Sequence, residues 1–334
     1  MSKMRSILTH ALIDAPHLAD GLFVLTRGQS NRGMPKVQEH GNVTVTSNRI
    51  VRAQWKEIKI MFACGEPLGV TEQSVLLALV ARAGLNGTQI SAGGNARSRE
   101  LHALLRPAES DGRFAPQNGV MIETSIPELC ADSSLSKSGT AYAAVEDALR
   151  RLGNVVVTIH DTTADTEGNT LMIAWRRRSE RVEVAMNYRI RDALLNTGFT
   201  RVSLTERAKL RTGCAKLVHT FLSRWAGRGK RSIGLDTLAT HVWDDGLGAD
   251  KTQRRDRRRA LRSALAEIIA TGAWTIETEG SMLLVSHIKP SGEKTTHRKV
   301  RKPPTGGEET THRGRARRGT KVPAKSGVFA NFAA

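Results

Sequence analysis

The feature of the sequence with the clearest chemistry is a dense group of arginines within residues 251–262, KTQRRDRRRALR. A guanidinium group donates paired hydrogen bonds to phosphate oxygens or to the edge of a guanine, so such a cluster indicates a nucleic-acid partner. Arg254, Arg258 and Arg262 recur at every fourth position and would share one side of a helix. Like charges at that spacing oppose helix formation, and a polyanion would offset their repulsion.

The residues that follow predict a helix whose far end is anchored in a core. Four apolar residues fall at the i, i+3, i+4 and i+7 positions of one face, namely Leu261, Ala264, Leu265 and Ile268. Ile269 widens this face, and Gly272 is expected to end the helix. One helix would therefore hold on to the protein core and extend its basic first turns toward DNA.

The segments on either side of this helix suggest its fold. Two short apolar runs at residues 274–278 and 282–288 predict a β-hairpin. Upstream, Asp236 is the expected N-cap of a short helix over residues 237–243, followed by a Gly- and Asp-rich linker. Helix, turn, basic helix and hairpin is the order of a winged helix-turn-helix, a DNA-binding arrangement.

A second copy of the same order is predicted earlier in the chain. Ser125 and Glu128 form a capping box before a helix over residues 126–131, and a longer helix follows over residues 140–152. Its inward residues are Ala144, Val145, Ala148, Leu149 and Leu152. Residues 155–160 and 170–175 then predict a hairpin with a long polar tip. The expected fold class is α+β, with two tandem winged helix-turn-helix domains.

The remaining pattern gives the domain organisation. The expected helices cover residues 17–26, 99–105, 187–195 and 214–225, and the helix at 99–105 lies within an extended connection over residues 86–118. Two further helices are expected, a core helix capped by Thr71 and a helix after a capping box of Ser203 and Glu206. The expected strands cover residues 43–45, 58–62 and 181–186. We expect a partly ordered N-terminal extension over residues 1–60, a first winged-helix domain over 61–190, and a second, main DNA-binding domain over 191–289. Residues 290–334 have almost no aliphatic side chains and are expected to form a disordered basic tail.

Composition narrows the class of partner. The chain of 334 residues has 51 Lys and Arg against 32 Asp and Glu, a formal charge of +19 that favours a polyanion. No apolar run approaches the roughly 20 residues of a membrane span, and no signal-peptide core is present, so we expect a cytoplasmic protein without a membrane partner. Aromatic residues make up 4%, too few for base-stacking platforms, which favours double-stranded DNA. Cys64, Cys130 and Cys214 lack the spacing of a zinc site or a disulfide framework.

Several segments also resemble a known family. They are residues 17–28 (HLADGLFVLTRG), 65–87 (GEPLGVTEQSVLLALVARAGLNG), 203–243 (SLTERAKLRTGCAKLVHTFLSRWAGRGKRSIGLDTLATHVW) and 253–276 (QRRDRRRALRSALAEIIATGAWTI). They are similar to replication initiator protein C of IncQ-type plasmids. The resemblance implies a non-enzymatic initiator that binds direct repeats, the iterons, at the plasmid origin. It also implies opening of the neighbouring AT-rich DNA and entry of the plasmid-encoded helicase and primase.

The expected DNA contacts divide by role. Arg254, Arg255 and Arg258 are expected to read bases in the major groove. Contacts to phosphates are expected from Arg257, Arg259, Arg262, Lys230, Arg231 and Thr237. Lys251 begins the segment that is expected to lie in the major groove. The first domain offers a less basic set of candidate residues, Lys137, Ser138, Thr140 and Tyr142. Their role could be a weak DNA contact, pairing with a second copy in a homodimer, or the ordinary one of a helix cap with a surface tyrosine.

Enzymatic alternatives fit the sequence poorly. A nicking initiator needs a catalytic tyrosine with a paired-histidine metal site, and Tyr142 and Tyr188 are the two tyrosines of a chain without His-x-His. The segment GRGKRS at residues 227–232 lacks the full phosphate-binding loop of nucleotide hydrolases. We therefore expect no enzyme activity, cofactor or metal. A winged-helix transcriptional repressor that binds a palindromic operator remains the alternative function.

Overall fold

The structure is a computed structural model that describes residues 8–25, 49–55, 57–106, 117–162, 166–195, 199–226 and 229–288. Its strands are β1 His10–Asp14, β2 Arg49–Trp55, β3 Ile58–Cys64, β4 Thr88–Ile90, β5 Gly119–Thr124, β6 Val156–Asp161, β7 Thr166–Leu171, β8 Ile173–Arg178, β9 Arg181–Met186, β10 Phe199–Ser203, β11 Arg231–Gly234, β12 Trp274–Glu279 and β13 Met282–His287. Its α-helices are α1 Val70–Asn86, α2 Ala96–Leu104, α3 Ile126–Asp132, α4 Gly139–Gly153, α5 Tyr188–Leu195, α6 Leu204–Lys209, α7 Gly213–Trp225, α8 Leu235–Thr240 and α9 Lys251–Ile269. The expected mixture of helix and sheet is confirmed.

The strands form four antiparallel sheets in the described residues. Their orders are β1-β10, β2-β3-β6-β7, β4-β5-β9-β8 and β11-β13-β12. Two segments of the chain share one pattern of pairing. In β5-α3-α4-β8-β9 and in β11-α8-α9-β12-β13 the first strand pairs with the last, and the last pairs with the middle one. The strand, helix, helix, hairpin order therefore occurs twice, and in the first copy β6 and β7 are inserted between α4 and β8.

The hairpin of the first copy differs from the expected one. Residues 155–160 do correspond to β6, but residues 170–175 are the end of β7 and the start of β8. β7 pairs with β6, whereas β8 turns into the other sheet and pairs with β9. Met172, fully buried between the two strands, marks the crossing. An unbroken apolar run thus conceals a change of sheet, and the hairpin equivalent to β12-β13 is β8-β9.

Helix α1 is the central core helix, as expected, but it begins earlier than Thr71. Gly69 is the N-cap, and its N–H donates to the carboxylate of Glu72 over 2.7 Å. Most of its residues are buried, and it packs against α3, α4, α7 and β1. The capping box of Ser125 and Glu128 is confirmed at α3. In α4 the predicted inward residues are buried except Ala144, which is half-buried.

The N-terminal segment folds differently from the expected helix over residues 17–26. A 3-10 helix covers Ala15–Leu18 and ends before a turn at Gly21, whose φ of +80° favours glycine. β1 pairs with β10, which places His17 in the core beside Asp14. The segment is therefore part of the packed protein. The expected strand at residues 43–45 and the tail from residue 290 lie outside the described residues.

The connection over residues 86–118 contains more structure than expected. β4 and α2 occupy its first part, β5 begins at its end, and residues 107–116 lie outside the described ranges. Its helix begins at Ala96, earlier than the expected residue 99. Asn95 is the N-cap, and its side chain accepts a hydrogen bond from the N–H of Ser98. A small apolar cluster lies beneath α2 and consists of Ile90, Leu101, Leu105, Met121, Ala174 and Ala185.

One continuous buried cluster joins residues of both topological copies. Arg207 of α6 is part of the contact, because its guanidinium donates to Gln73 Oε1 at 2.8 Å and to Ser74 Oγ at 2.9 Å, both on α1. Burial lowers the pKa of Arg207 to about 9. Cys64, Cys130 and Cys214 are buried free thiols. A boundary near residue 190 stays a prediction. Among the helices that the structure describes, none has the length and apolar character of a membrane span.

The β12-β13 hairpin is fastened to α6 and α7 through a buried carboxylate. Glu206 receives hydrogen bonds of 3.0 Å from His219 Nε2 and from Trp274 Nε1, and His287 Nε2 lies 3.6 Å away. Burial opposes ionisation, but the donors from His219, His287 and Trp274 outweigh it and hold the pKa of Glu206 well below its usual range. Burial lowers the pKa of His219 below its ordinary 6.5.

Both shifts predict that acid weakens the fold. The unfolded chain takes up a proton at His219 as the pH falls below 6.5, and at Glu206 below 4.5, before the folded chain does. We expect a melting temperature that is flat near pH 8 and falls below pH 6.5. Glu206→Gln should lower the free energy of unfolding by about 2 kcal/mol at pH 7 and flatten the part of the acid limb below pH 4.5, because glutamine does not titrate. Thermal melts of both proteins from pH 8 to pH 4 check this, and parallel curves would contradict it.

Candidate nucleic-acid interface

Helix α9 begins where the sequence predicts. Asp250 is the N-cap and accepts a hydrogen bond of 2.7 Å from the N–H of Gln253. Leu261, Ala264, Leu265 and Ile268 are buried and hold the second half of the helix against α7 and β12. Ile269 does not extend this face, since it is 44% exposed. The apolar buried residues thus lie in the second half, and of the basic residues in the first turns Arg257 alone is buried.

Five basic residues of α9, four of them exposed and Arg258 half-buried, form a stripe along one side. They are Lys251, Arg255, Arg258, Arg259 and Arg262, at positions i, i+4, i+7, i+8 and i+11 of the helix. A helix of 3.6 residues per turn places these five on one flank of the buried face. The opposite flank has Gln253, Asp256, Ala260 and Glu267. The charge of α9 is thus one-sided, as a helix that faces a polyanion requires.

The members of this basic stripe differ in their partners. The side chains of Arg255 and Arg259 are 75% and 77% exposed, and both pair with Asp256. Arg258 binds Asp236 of α8 with two hydrogen bonds, of 3.1 Å and 2.7 Å. Arg262 makes no ion pair with any residue in the described ranges. Ion pairs at such exposure contribute little to stability, so these cations are available to a ligand.

Arg257 occupies a different environment from its neighbours. It is 8% exposed, and Nη1 donates to Asp245 Oδ1 and to the carbonyl of Gly246, each at 2.6 Å. Its guanidinium lies over the ring of Trp243, 5.2 Å from the centroid. The expected phosphate contact does not fit this position, because Arg257 lies on the buried flank and braces the preceding loop. Its contribution is to the fold.

Arg254 combines exposure with backbone contacts. Its guanidinium donates to the carbonyls of Gly248 at 3.1 Å and of Ala249 at 2.9 Å, which closes the turn before α9. Gly248 has a φ of +86°, a conformation that the turn requires and glycine allows. Arg254 lies at the first turn of the helix, beside the basic stripe and not within it.

The loop between α8 and α9 is held by the N-terminal part of the chain. Arg49 of β2 donates to both carboxylate oxygens of Asp244 and to the carbonyl of Gly21. The N–H of Leu25 donates to the carbonyl of Val242 over 2.8 Å. Two elements distant in sequence therefore fix the start of α9, which preorganises the basic stripe. Sequence patterns within α8 and α9 contain no sign of this bracing.

A groove separates the basic stripe from the hairpin. Its walls include Arg258, Arg262 and Asp236, and its floor is formed by Leu265, Ile269, Ile276, Met282 and Leu283. The hairpin itself has no lysine or arginine and has Glu277 and Glu279 on its exposed surface. The basic side chains that line the groove therefore belong to α9.

The other predicted contacts of the second copy lie near this hairpin. Lys230 precedes β11 and lies 3.8 Å from the carboxylate of Glu277. Arg231, at the start of β11, is exposed and lies 5.7 Å from the ring centroid of Trp225. Thr237 is exposed on α8. Asp236, the expected N-cap, lies in the first turn of α8, and Gly234 is the N-cap. The helix therefore begins earlier than expected and ends at Thr240.

The predicted contacts of the first copy lie on α4, which packs on α1 and α3 and not beside the basic stripe. Ser138 is the N-cap and accepts a hydrogen bond of 3.3 Å from the N–H of Ala141. Lys137 and Thr140 are exposed, and Tyr142 is partly buried against the core. Ser138 thus has a structural role that is sufficient to explain it.

Sequence reasoning missed a second arginine cluster, the run RRRSER at residues 176–181 on the β8-β9 hairpin. Its side chains are matched by acids. Arg177 pairs with Glu146 at 2.7 Å, Arg176 with Glu100 at 2.8 Å, and Glu183 is shared by three arginines, namely Arg97, Arg176 and Arg178. The pattern of the sequence contains the arginines but not their distant acidic partners. The cluster is an ion-pair network, with far less free charge than α9.

Comparison with known proteins identifies the family. No curated protein matches the chain significantly. Two crystal structures of domains 2 and 3 of RctB share 12% and 11% sequence identity, with TM-scores of 0.40 and 0.43. The matched regions cover 73% and 72% of this chain, and 92% and 90% of the two RctB chains. The family model of replication protein C (RepC) matches residues 7–281, which span the core, the basic stripe and most of the hairpin. The expectation of a plasmid replication initiator is thereby confirmed, and the chain belongs to the replication protein C (RepC) family.

Proposed function

We propose that this replication initiator binds direct repeats at its plasmid origin through α9 and opens the adjacent AT-rich DNA. The observation that carries the proposal is the one-sided stripe of five basic residues on α9, four of them exposed and Arg258 half-buried. A helix about 10–12 Å across fits the major groove, which is about 12 Å wide. The two topological copies are proposed to be winged helices, with α4 and α9 as their recognition helices.

Roles follow from exposure and partners. Arg255 and Arg258, with Arg254 at the first turn, are proposed to read bases, because arginine donates two hydrogen bonds to guanine O6 and N7. Phosphates are proposed to be held by Lys251, Arg259, Arg262, Lys230, Arg231 and Thr237. Arg257 is left out because its guanidinium is occupied by the loop before α9.

The first copy is proposed to contribute more to pairing between protein chains than to DNA binding. Its hairpin arginines are neutralised by acids, and its recognition helix presents Lys137 and Thr140 as exposed polar residues. A second copy of the chain is the proposed partner of this region. The plasmid-encoded helicase and primase are the proposed partners once DNA is open.

Opening is proposed to draw on binding energy and not on nucleotide hydrolysis. Bending a site of 20–30 base pairs costs on the order of 1–6 kcal/mol, and contacts by several protein copies on adjacent repeats would meet that cost. The protein would therefore act as a binding protein and not as an enzyme.

A combined footprint tests the proposal. The purified chain is bound to the origin of its own plasmid without nucleotide, and unpaired thymines are detected with permanganate. We expect protection of tandem repeats in one orientation and reactive thymines in the neighbouring AT-rich segment. A single palindromic footprint without reactive thymines would instead support a winged-helix repressor.

A further inference from the structure

Within the described residues, Arg258 is the one arginine of the basic stripe whose guanidinium donates to both oxygens of a carboxylate. Nε donates to Asp236 Oδ1 at 3.1 Å, and Nη2 donates to Asp236 Oδ2 at 2.7 Å. Asp236 belongs to α8, so the pair joins the two helices. The hydrogen bond from Arg258 is the main reason that the pKa of Asp236 lies below its usual range.

This pairing leaves part of the guanidinium open. The Nε and Nη2 edge is engaged by Asp236, while both N–H groups of Nη1 and the outer N–H of Nη2 remain. Two of these point in parallel from the end of the side chain, which is the arrangement that guanine O6 and N7 accept. The carboxylate therefore fixes the direction of the fork without consuming its reading edge.

Neighbouring arginines lack such support. Arg255 approaches Asp256 through Nε alone at 3.7 Å, and Arg259 donates one hydrogen bond to the same carboxylate at 2.9 Å. Both side chains are more exposed than Arg258, at 75% and 77% against 42%. A fixed fork discriminates between bases more sharply than a mobile one does.

Asp236 itself is not suited to contact the DNA backbone, because its carboxylate is 62% exposed and negative. We propose that Asp236 is a positioning residue that holds Arg258 to read one guanine of the recognised repeat. The inference rests on the proposed DNA-binding role of α9. It assigns specificity at one base pair to a contact between α8 and α9.

A selection from a random-sequence duplex library tests this, with the full chain, Asp236→Ala, Arg258→Ala and the double variant. We expect the wild-type chain to select guanine at one position that both single variants lose, with a fall in preference of at least about tenfold. The double variant should lose no more preference than either single variant. Asp236→Ala should keep its affinity for unrelated duplex within about threefold, because it removes a negative charge and no phosphate contact.

Asp256→Ala is the matched control, since it removes another exposed aspartate that pairs with arginines of the same helix. It should raise affinity for all duplexes and leave the selected sequence unchanged. An unchanged preference in Asp236→Ala, or loss at a different position from Arg258→Ala, would overturn the inference while base reading by α9 stands. A wild-type chain that selects no sequence would overturn the proposed function, and the inference with it.

Discussion

Replacement of Arg255 and Arg259 with alanine is expected to weaken binding to the origin duplex about 100-fold, with a normal fold, since two arginine contacts are lost at 1–3 kcal/mol each. Both side chains lie in the middle of the basic stripe, and their ion pairs with Asp256 are highly exposed. The slope of the logarithm of affinity against the logarithm of salt concentration should fall by about one to two. Fluorescence anisotropy on a labelled duplex at several salt concentrations measures both quantities.

The chain offers a charge-matched control for this experiment. Arg177→Ala with Arg178→Ala also removes two exposed arginines, at 57% and 56% exposure, from the β8-β9 hairpin. Their charges are shared with Glu146, Glu100 and Glu183, so we expect less than about a threefold loss of affinity. Equal losses in both double variants would mean that binding follows net charge, and the assignment to α9 would be wrong.

Helix α9 was predictable because its signals are local. The basic run from Lys251, the apolar period through Ile268 and the hairpin after Gly272 all lie within one stretch of chain. What could not be predicted depends on distant partners. Arg257 differs from its exposed neighbours because Trp243 and Asp245 lie beside it. The run at residues 176–181 is neutralised by acids that include Glu100 of α2 and Glu146 of α4.

The hairpin of the first copy shows the limit of periodicity. Apolar residues continue from Thr170 to Trp175 without a turn signal, while the chain leaves one sheet and enters another at Met172. Strand patterns state which residues are buried but not which sheet buries them. The bracing of the loop before α9 by Arg49 and Gly21 is invisible in sequence for the same reason, since the partners lie far apart in the chain.

Arg257→Ala is expected to lower the free energy of unfolding by about 3 kcal/mol, which sets it apart from the other arginines of α9. The substitution removes the hydrogen bonds to Asp245 and to the buried carbonyl of Gly246, and the packing over Trp243. Arg257→Lys should recover only part of the loss, because one ammonium cannot pair with the carboxylate and lie flat on the indole together. Urea unfolding followed by tryptophan fluorescence measures the difference.

Arg259→Ala is the control, since its side chain is 77% exposed and its loss should change stability by less than about 0.5 kcal/mol. The two variants should therefore separate the functions of one helix. Arg257→Ala weakens the fold and, at a temperature where it remains folded, keeps the salt dependence of DNA binding, whereas Arg259→Ala keeps the fold and reduces that dependence. If Arg257→Ala were as stable as the wild-type chain and lost a phosphate contact, its guanidinium would have to leave the loop and face DNA.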